Sequence, residues 1–129
     1  MAESVRFSRR HLWVARFGAA FRLGVSDFLQ RAVPDSHFVE LTPRPGDRCA
    51  AGQPIGLIAS GRSDYELRMP VSAEVTAVNE DLLWTFGAIN ADPYGAGWIA
   101  EGWFLDPAEY DALMDVDTYD DYTRDWARR

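Results

Sequence analysis

Few side chains here are equipped for chemistry, and their spacing decides what they could do together. Two histidines, His11 and His37, and one cysteine, Cys49, are the natural candidates for a neutral base or a thiolate near neutral pH. Nucleophilic transfer needs a Ser or Cys held beside such a base. Each histidine instead falls within a strand-like segment, HLWVARF or SHFVEL, where a packed or half-exposed ring is the simplest reading. Cys49 follows a turn in GDRCAAG and reads as incidental. No CxxC, HxxxH or HxH spacing offers a metal site, and no Walker loop or GxGxxG offers a phosphate cradle. The acidic residues crowd a helical tail, which makes a charged surface rather than an active site. No catalytic set emerges.

The basic residues are more telling. All 13 are arginine, so no side chain carries an ε-amine that could form an ordinary amide. One of them, Arg62, falls at the tip of two short strands in LIASGRSDYELRM. A guanidinium stays protonated with its lone pairs delocalised, so it offers charge and a planar fork but no nucleophile.

The elements that would position these residues are mostly short strands. HLWVARF and AFRLGVS meet at a turn in FGA, and SDFLQRAV follows as a short helix with Ser26 as N-cap and Asp27 in its first turn. Pro34 ends it. SHFVEL is a strand, PRPGD a turn, and PIGLIAS, GRSD and YELRM read as strand, tip and strand. SAEVTAVN alternates as a half-buried strand should. DPYGAG turns the chain into a strand in GWIAEGWF, and DPAEYDALM starts a helix with Asp106 as N-cap and Pro107 at the first position. DVDTYDDYTRDWARR continues as a second, acidic helix.

With 129 residues and 17 aromatic side chains, the chain can build one core, and a single mainly β domain over residues 1–129 is expected. Its net charge of −7 argues against nucleic acid as a partner. No apolar run is long enough to span a membrane, no secretory signal opens the chain, and a lone cysteine suits a reducing, cytoplasmic setting. Charge is uneven: residues 1–48 carry eight Arg against five acids, while residues 106–125 carry eight acids and one Arg. The acidic tail reads as solvated helix faces.

Taken in order, several segments resemble the glycine cleavage system H protein family, whose members carry lipoate. RRHLWV resembles the family's His-x-Trp-Val strand, and LGVSDFLQ, FVEL and RPGDRCAAGQPIGLI follow its pattern. MPVSAEVTAVNE matches Ser-Pro-Val-Ser-Gly-x-Val-x-x-Val-Asn apart from such changes as Ala73 for Gly. INADPYGAGWI matches Asn-x-Asp-Pro-Tyr-Gly-x-Gly-Trp closely, and DPAEYDALMDVDTY resembles the C-terminal helices. The resemblance covers about residues 10–119, with an acidic helical tail over about 106–129. It implies a barrel-sandwich hybrid of the lipoyl- and biotinyl-carrier type, with a short early helix and C-terminal helices, and a carrier rather than an enzyme.

Two departures bear on function. The family tip reads Glu-Ser-x-Lys-Ala, and its lysine receives lipoate. Counting back from MPVS, Arg62 stands at that position, Ser60 matches the serine, and Ala59 replaces the glutamate. The expectation is therefore no cofactor, since lipoate has no lysine to join. In DLLWTFGAI, Trp84 and Phe86 replace a more polar stretch near the family's cleft.

Three functions fit the resemblance. The favoured one is a non-lipoylated accessory or regulatory module that docks on an enzyme of pyridoxal-phosphate- or folate-dependent type, through Ser60, Gly61, Arg62, Ser63 and Asp64. The second is a carrier loaded on Ser60, Ser63 or Cys49. The third converts the cleft into a small-molecule or catalytic site lined by His37, Tyr65, Trp84 and Phe86.

Overall fold

The computed structural model describes residues 5–61 and 64–127, without the side chains beyond residue 124. Among the described residues, nine strands form two antiparallel sheets. β1 (Val5–Phe7), β2 (Leu12–Phe17), β3 (Ala20–Val25), β9 (Ala100–Phe104), β8 (Ala73–Val78) and β5 (Arg48–Cys49) lie in that order in the larger sheet. β4 (Phe38–Leu41), β6 (Pro54–Ala59) and β7 (Asp64–Arg68) form the smaller. The expectation of a mainly β chain with an early helix and C-terminal helices holds.

β2 shows why its sequence is nearly continuously apolar. Leu12 and Val14 face the main core, while Trp13 and Ala15 face a second cluster with Phe7 and Tyr119. A strand buried on both faces loses the simple alternation of a half-solvated one. Tyr119 belongs to α4 (Val116–Ala127), which lies over this outer face and stacks its ring on Phe7 at 4.3 Å. The acidic tail is thus not wholly a solvated surface. Asp117, Asp120 and Asp121 are exposed, but Tyr119 anchors the helix in the fold.

α1 (Asp27–Ala32) forms as its sequence dictates. Ser26 Oγ accepts the Leu29 N–H, Asp27 sits in the first turn, and Asp27 pairs with Arg31 one turn on at 2.6 Å. Pro107, rather than Asp106, takes the cap position of α3 (Ala108–Asp111), although an Asp106 carboxylate oxygen accepts the Ala108 N–H. The stretch between β8 and β9 holds two short elements without a sequence period of their own. A 3-10 turn spans Glu80–Leu83 and α2 spans Ala88–Ala91, anchored by buried Leu82 and Ile89.

The segment INADPYGAGWI is a structural clamp. The Asn90 side-chain amide donates to the Gln30 and Val33 carbonyls, and its oxygen accepts from Ser36, tying α1 to α2. Asp92 accepts the Ala96 N–H, and the Tyr94 hydroxyl accepts the Asp27 N–H. Gly97 packs so closely that a Cβ there would stand 2.7 Å from the Ala88 carbonyl oxygen. The Trp13 indole donates to the Pro93 carbonyl and lies against Gly24, where a Cβ would meet the ring at 2.7 Å. Asn90, Asp92 and Tyr94 thus satisfy backbone groups of neighbouring segments, and Gly97 accommodates one.

Candidate functional site

β6 and β7 pair from Leu57↔Glu66 through Ile58↔Tyr65 to Ala59↔Asp64, leaving residues 60–63 as the connection. Arg62 and Ser63 lie outside the described residues. Of the other tip candidates, Gly61 and Asp64 are exposed, and a Cβ on Gly61 would meet nothing within 4 Å. Ser60 is buried, at 6% exposure. That burial weakens its reading as a partner contact or attachment point, because the residue offers little surface to an incoming group. Cys49 is buried too, and burial followed by the nearby Asp47 charge pushes its thiol pKa up, away from the reactive thiolate.

At the root of the hairpin, charged groups lock together. The Tyr65 hydroxyl donates to the Arg10 carbonyl at 2.7 Å, and the Arg10 guanidinium stacks 4.9 Å from the Tyr65 ring centre. Arg10 also donates to the Glu66 carbonyl at 2.8 Å. The Glu66 carboxylate meets Arg68 at 2.6 Å, and Arg68 donates to the Gly52 carbonyl at 2.9 Å. Burial raises the Tyr65 pKa, so the phenol stays protonated.

The four cleft candidates do not converge. His37 is exposed just before β4 and gives its backbone N–H to the Ala59 carbonyl. Phe86 packs half-buried on the core, and its carbonyl accepts from Ser36 beside His37. Tyr65 lies two strands away under Arg10. Trp84 is 83% exposed, so it neither covers the sheet nor fills a cleft.

A different trio does converge, and nothing in the local sequence marks it. Tyr119 Oη lies 2.8 Å from His11 Nδ1 and 2.7 Å from Ser26 Oγ, joining residues 108 and 93 positions away. His11 adopts a φ of 71° just ahead of β2, not within the strand as its sequence suggested. Its pKa is lowered to about 4, first by burial and then by the Arg10 charge. Serine, tyrosine and histidine in a row look like a proton relay. However, all three are buried, and Ser26 is already capping α1. With no access for a substrate, the trio works as a clasp between α4 and the larger sheet.

The family model described as Glycine cleavage H-protein matches residues 5–126. A glycine cleavage system H protein from Micrococcus luteus is 37% identical over 123 residues, covering 94% of this chain and 95% of the relative. One from Mycobacterium avium is 39% identical over 120 residues, covering 89% of this chain and 90% of the relative. The crystal structure of a glycine cleavage system H protein from Mycobacterium marinum superposes with a TM-score of 0.73 at 27% identity, over 81% of this chain and 87% of that one. The two unclosed antiparallel sheets are those of the barrel-sandwich hybrid.

These matches correct the expectation of no cofactor. Glycine cleavage H proteins carry lipoate, so lipoate is the cofactor that the family assigns. The donor chemistry does not fit the usual linkage, because the sequence contains no lysine to form the ε-amide. Ser60 and Cys49 are buried and offer no ready substitute.

Proposed function

Because the chain belongs to the glycine cleavage H-protein family, we propose that it acts as a docking module of carrier type for an enzyme of the glycine cleavage kind, presenting Arg62 at the tip where the family carries its lipoyl-lysine. The family is one of carriers rather than catalysts, and the sealed Ser26–Tyr119–His11 trio agrees with that. The observation that carries the reading is the closure of the β6–β7 hairpin at Ala59↔Asp64, which leaves a four-residue tip with exposed residues on either side of the Arg62–Ser63 pair. A guanidinium there would form a bidentate pair with a carboxylate or phosphate at the mouth of a partner's active site. The partner is a pyridoxal-phosphate-dependent decarboxylase or a folate-dependent aminomethyltransferase, and the protein would tune that enzyme as an accessory or regulatory subunit. The whole chain serves as one domain in this role. Docking through the tip does not depend on how lipoate is held.

The direct test adds the protein and its Arg62→Ala variant to a glycine decarboxylase from the same host. Binding by the parent that falls about tenfold or more in the variant supports the reading, since a charge-assisted bidentate contact is lost. Equal binding of the two would remove Arg62 from the interface.

A further inference from the structure

Beside the hairpin root, a cleft of about 330 Å³ opens between the β1–β2 turn, the end of β7 and the α3–α4 connection. Its size lies at the lower end of the range for small-molecule sites. Arg9, Arg10 and Arg68 line it over an apolar floor that includes Met69, Leu113 and Met114. The far wall is fixed by paired backbone hydrogen bonds between Phe7 and Met114, at 2.8 and 2.9 Å.

Three arginines lining one small cleft stand out in a chain of net charge −7. Two are already held in place. Arg10 stacks on Tyr65 and donates to the Glu66 carbonyl, and Arg68 is pinned by the Glu66 carboxylate and the Gly52 carbonyl. Arg9 differs, because among the described residues its guanidinium has no hydrogen-bond or ion-pair partner, while its carbonyl is fixed by the Tyr122 hydroxyl at 3.0 Å. Glu66 balances one of the three charges. Asp111 and Asp115 flank the far wall in sequence but do not line the cleft. Pre-ordered donors lower the entropy cost of binding, and an unpartnered fork matches a carboxylate.

We propose that this cleft binds a small amphipathic carboxylate, with its head on the Arg9 guanidinium beside Arg10 and Arg68 and its apolar body over Met69, Leu113 and Met114. The floor suits bodies of varied shape, since methionine side chains adapt. The inference does not rest on the docking role of the hairpin tip.

The test is an amide-shift NMR titration of the full chain with 4-phenylbutyrate, alongside 4-phenylbutanol and acetate. The expected result is saturable shifts at Arg9, Gly52, Met69 and Met114 with phenylbutyrate. The neutral alcohol and the headgroup-only anion should each bind about tenfold more weakly or worse. Arg9→Gln should weaken phenylbutyrate about tenfold while its spectrum stays well dispersed, because among the described residues the guanidinium makes no hydrogen bond or ion pair that the change would break. No saturation with phenylbutyrate, equal binding of all three probes, or an unchanged affinity in Arg9→Gln would each overturn the proposal. So would shifts confined to another surface, or binding seen only with an acidic peptide.

Discussion

The clasp around Tyr119 and the tip of the β6–β7 hairpin make opposite use of polar residues. In the clasp, hydroxyl, phenol and imidazole satisfy one another inside the fold, and Ser26 also caps α1. At the tip, Gly61 and Asp64 face solvent, and Arg62 lies between them in sequence. The clasp has the residue types of catalysis without access, whereas Gly61 and Asp64 at the tip have access without a nucleophile. Residue type alone would rank the clasp above the tip, whereas exposure ranks them the other way. What separates a functional group from a structural one is whether its hydrogen-bonding capacity is already spent inside the fold.

Several substitutions would break or sharpen that contrast. Tyr119→Ala should cost the most, about 3–5 kcal/mol in urea unfolding, because it removes a buried ring stacked on Phe7 together with its hydrogen bonds to Ser26 and His11. A loss within about 0.5 kcal/mol would mean that α4 does not lock onto the sheet.

Acid should loosen the same clasp. His11 is held near pKa 4 in the fold against 6.5 for a free imidazole, so the unfolded chain binds the extra proton first. Its contribution is therefore full above about pH 6.5 and declines as pH falls toward 4. The amount is roughly 2 kcal/mol once solvent screening is allowed for. Unfolding measured at pH 7 and 4.5 should show a smaller drop in His11→Gln than in the parent. An identical drop would assign the acid sensitivity to carboxylates instead.

Tyr119→Phe keeps the ring and removes only the hydroxyl, so it should cost about 1–2 kcal/mol. Arg62→Ala at the other site should shift stability by no more than about 0.5 kcal/mol, the ordinary size for a surface change. If it destabilised the chain as much as Tyr119→Phe does, the tip would be a structural site too.

The parts of the fold governed by short-range rules were legible in the sequence. The Ser26 cap, the helix stop at Pro34 and the β6–β7 hairpin all rest on neighbours within a few residues. Family motifs supplied the rest of the architecture, although the most specific of them, INADPYGAGWI, proved to be a backbone clamp. The elements missed were those too short to show a period. β1 has three residues and α2 four, and each is fixed by tertiary partners. The tail illustrates the same limit. Its charge pattern correctly suggested solvent, but buried Tyr119 decides where α4 sits. The His11–Tyr119 contact and the Arg9 cleft join residues about a hundred positions apart, which no local pattern encodes.

The reading of the tip stands or falls on whether position 62 is the family's attachment position. The most direct measurement is the intact mass of an Arg62→Lys variant after incubation with lipoate, ATP and a lipoate–protein ligase, with the lysine-free parent as baseline. Addition of one lipoyl group, mapped to residue 62, is the predicted result. A folded Arg62→Lys variant that stays unmodified beside an H protein that is readily loaded would show that the tip is not the attachment position.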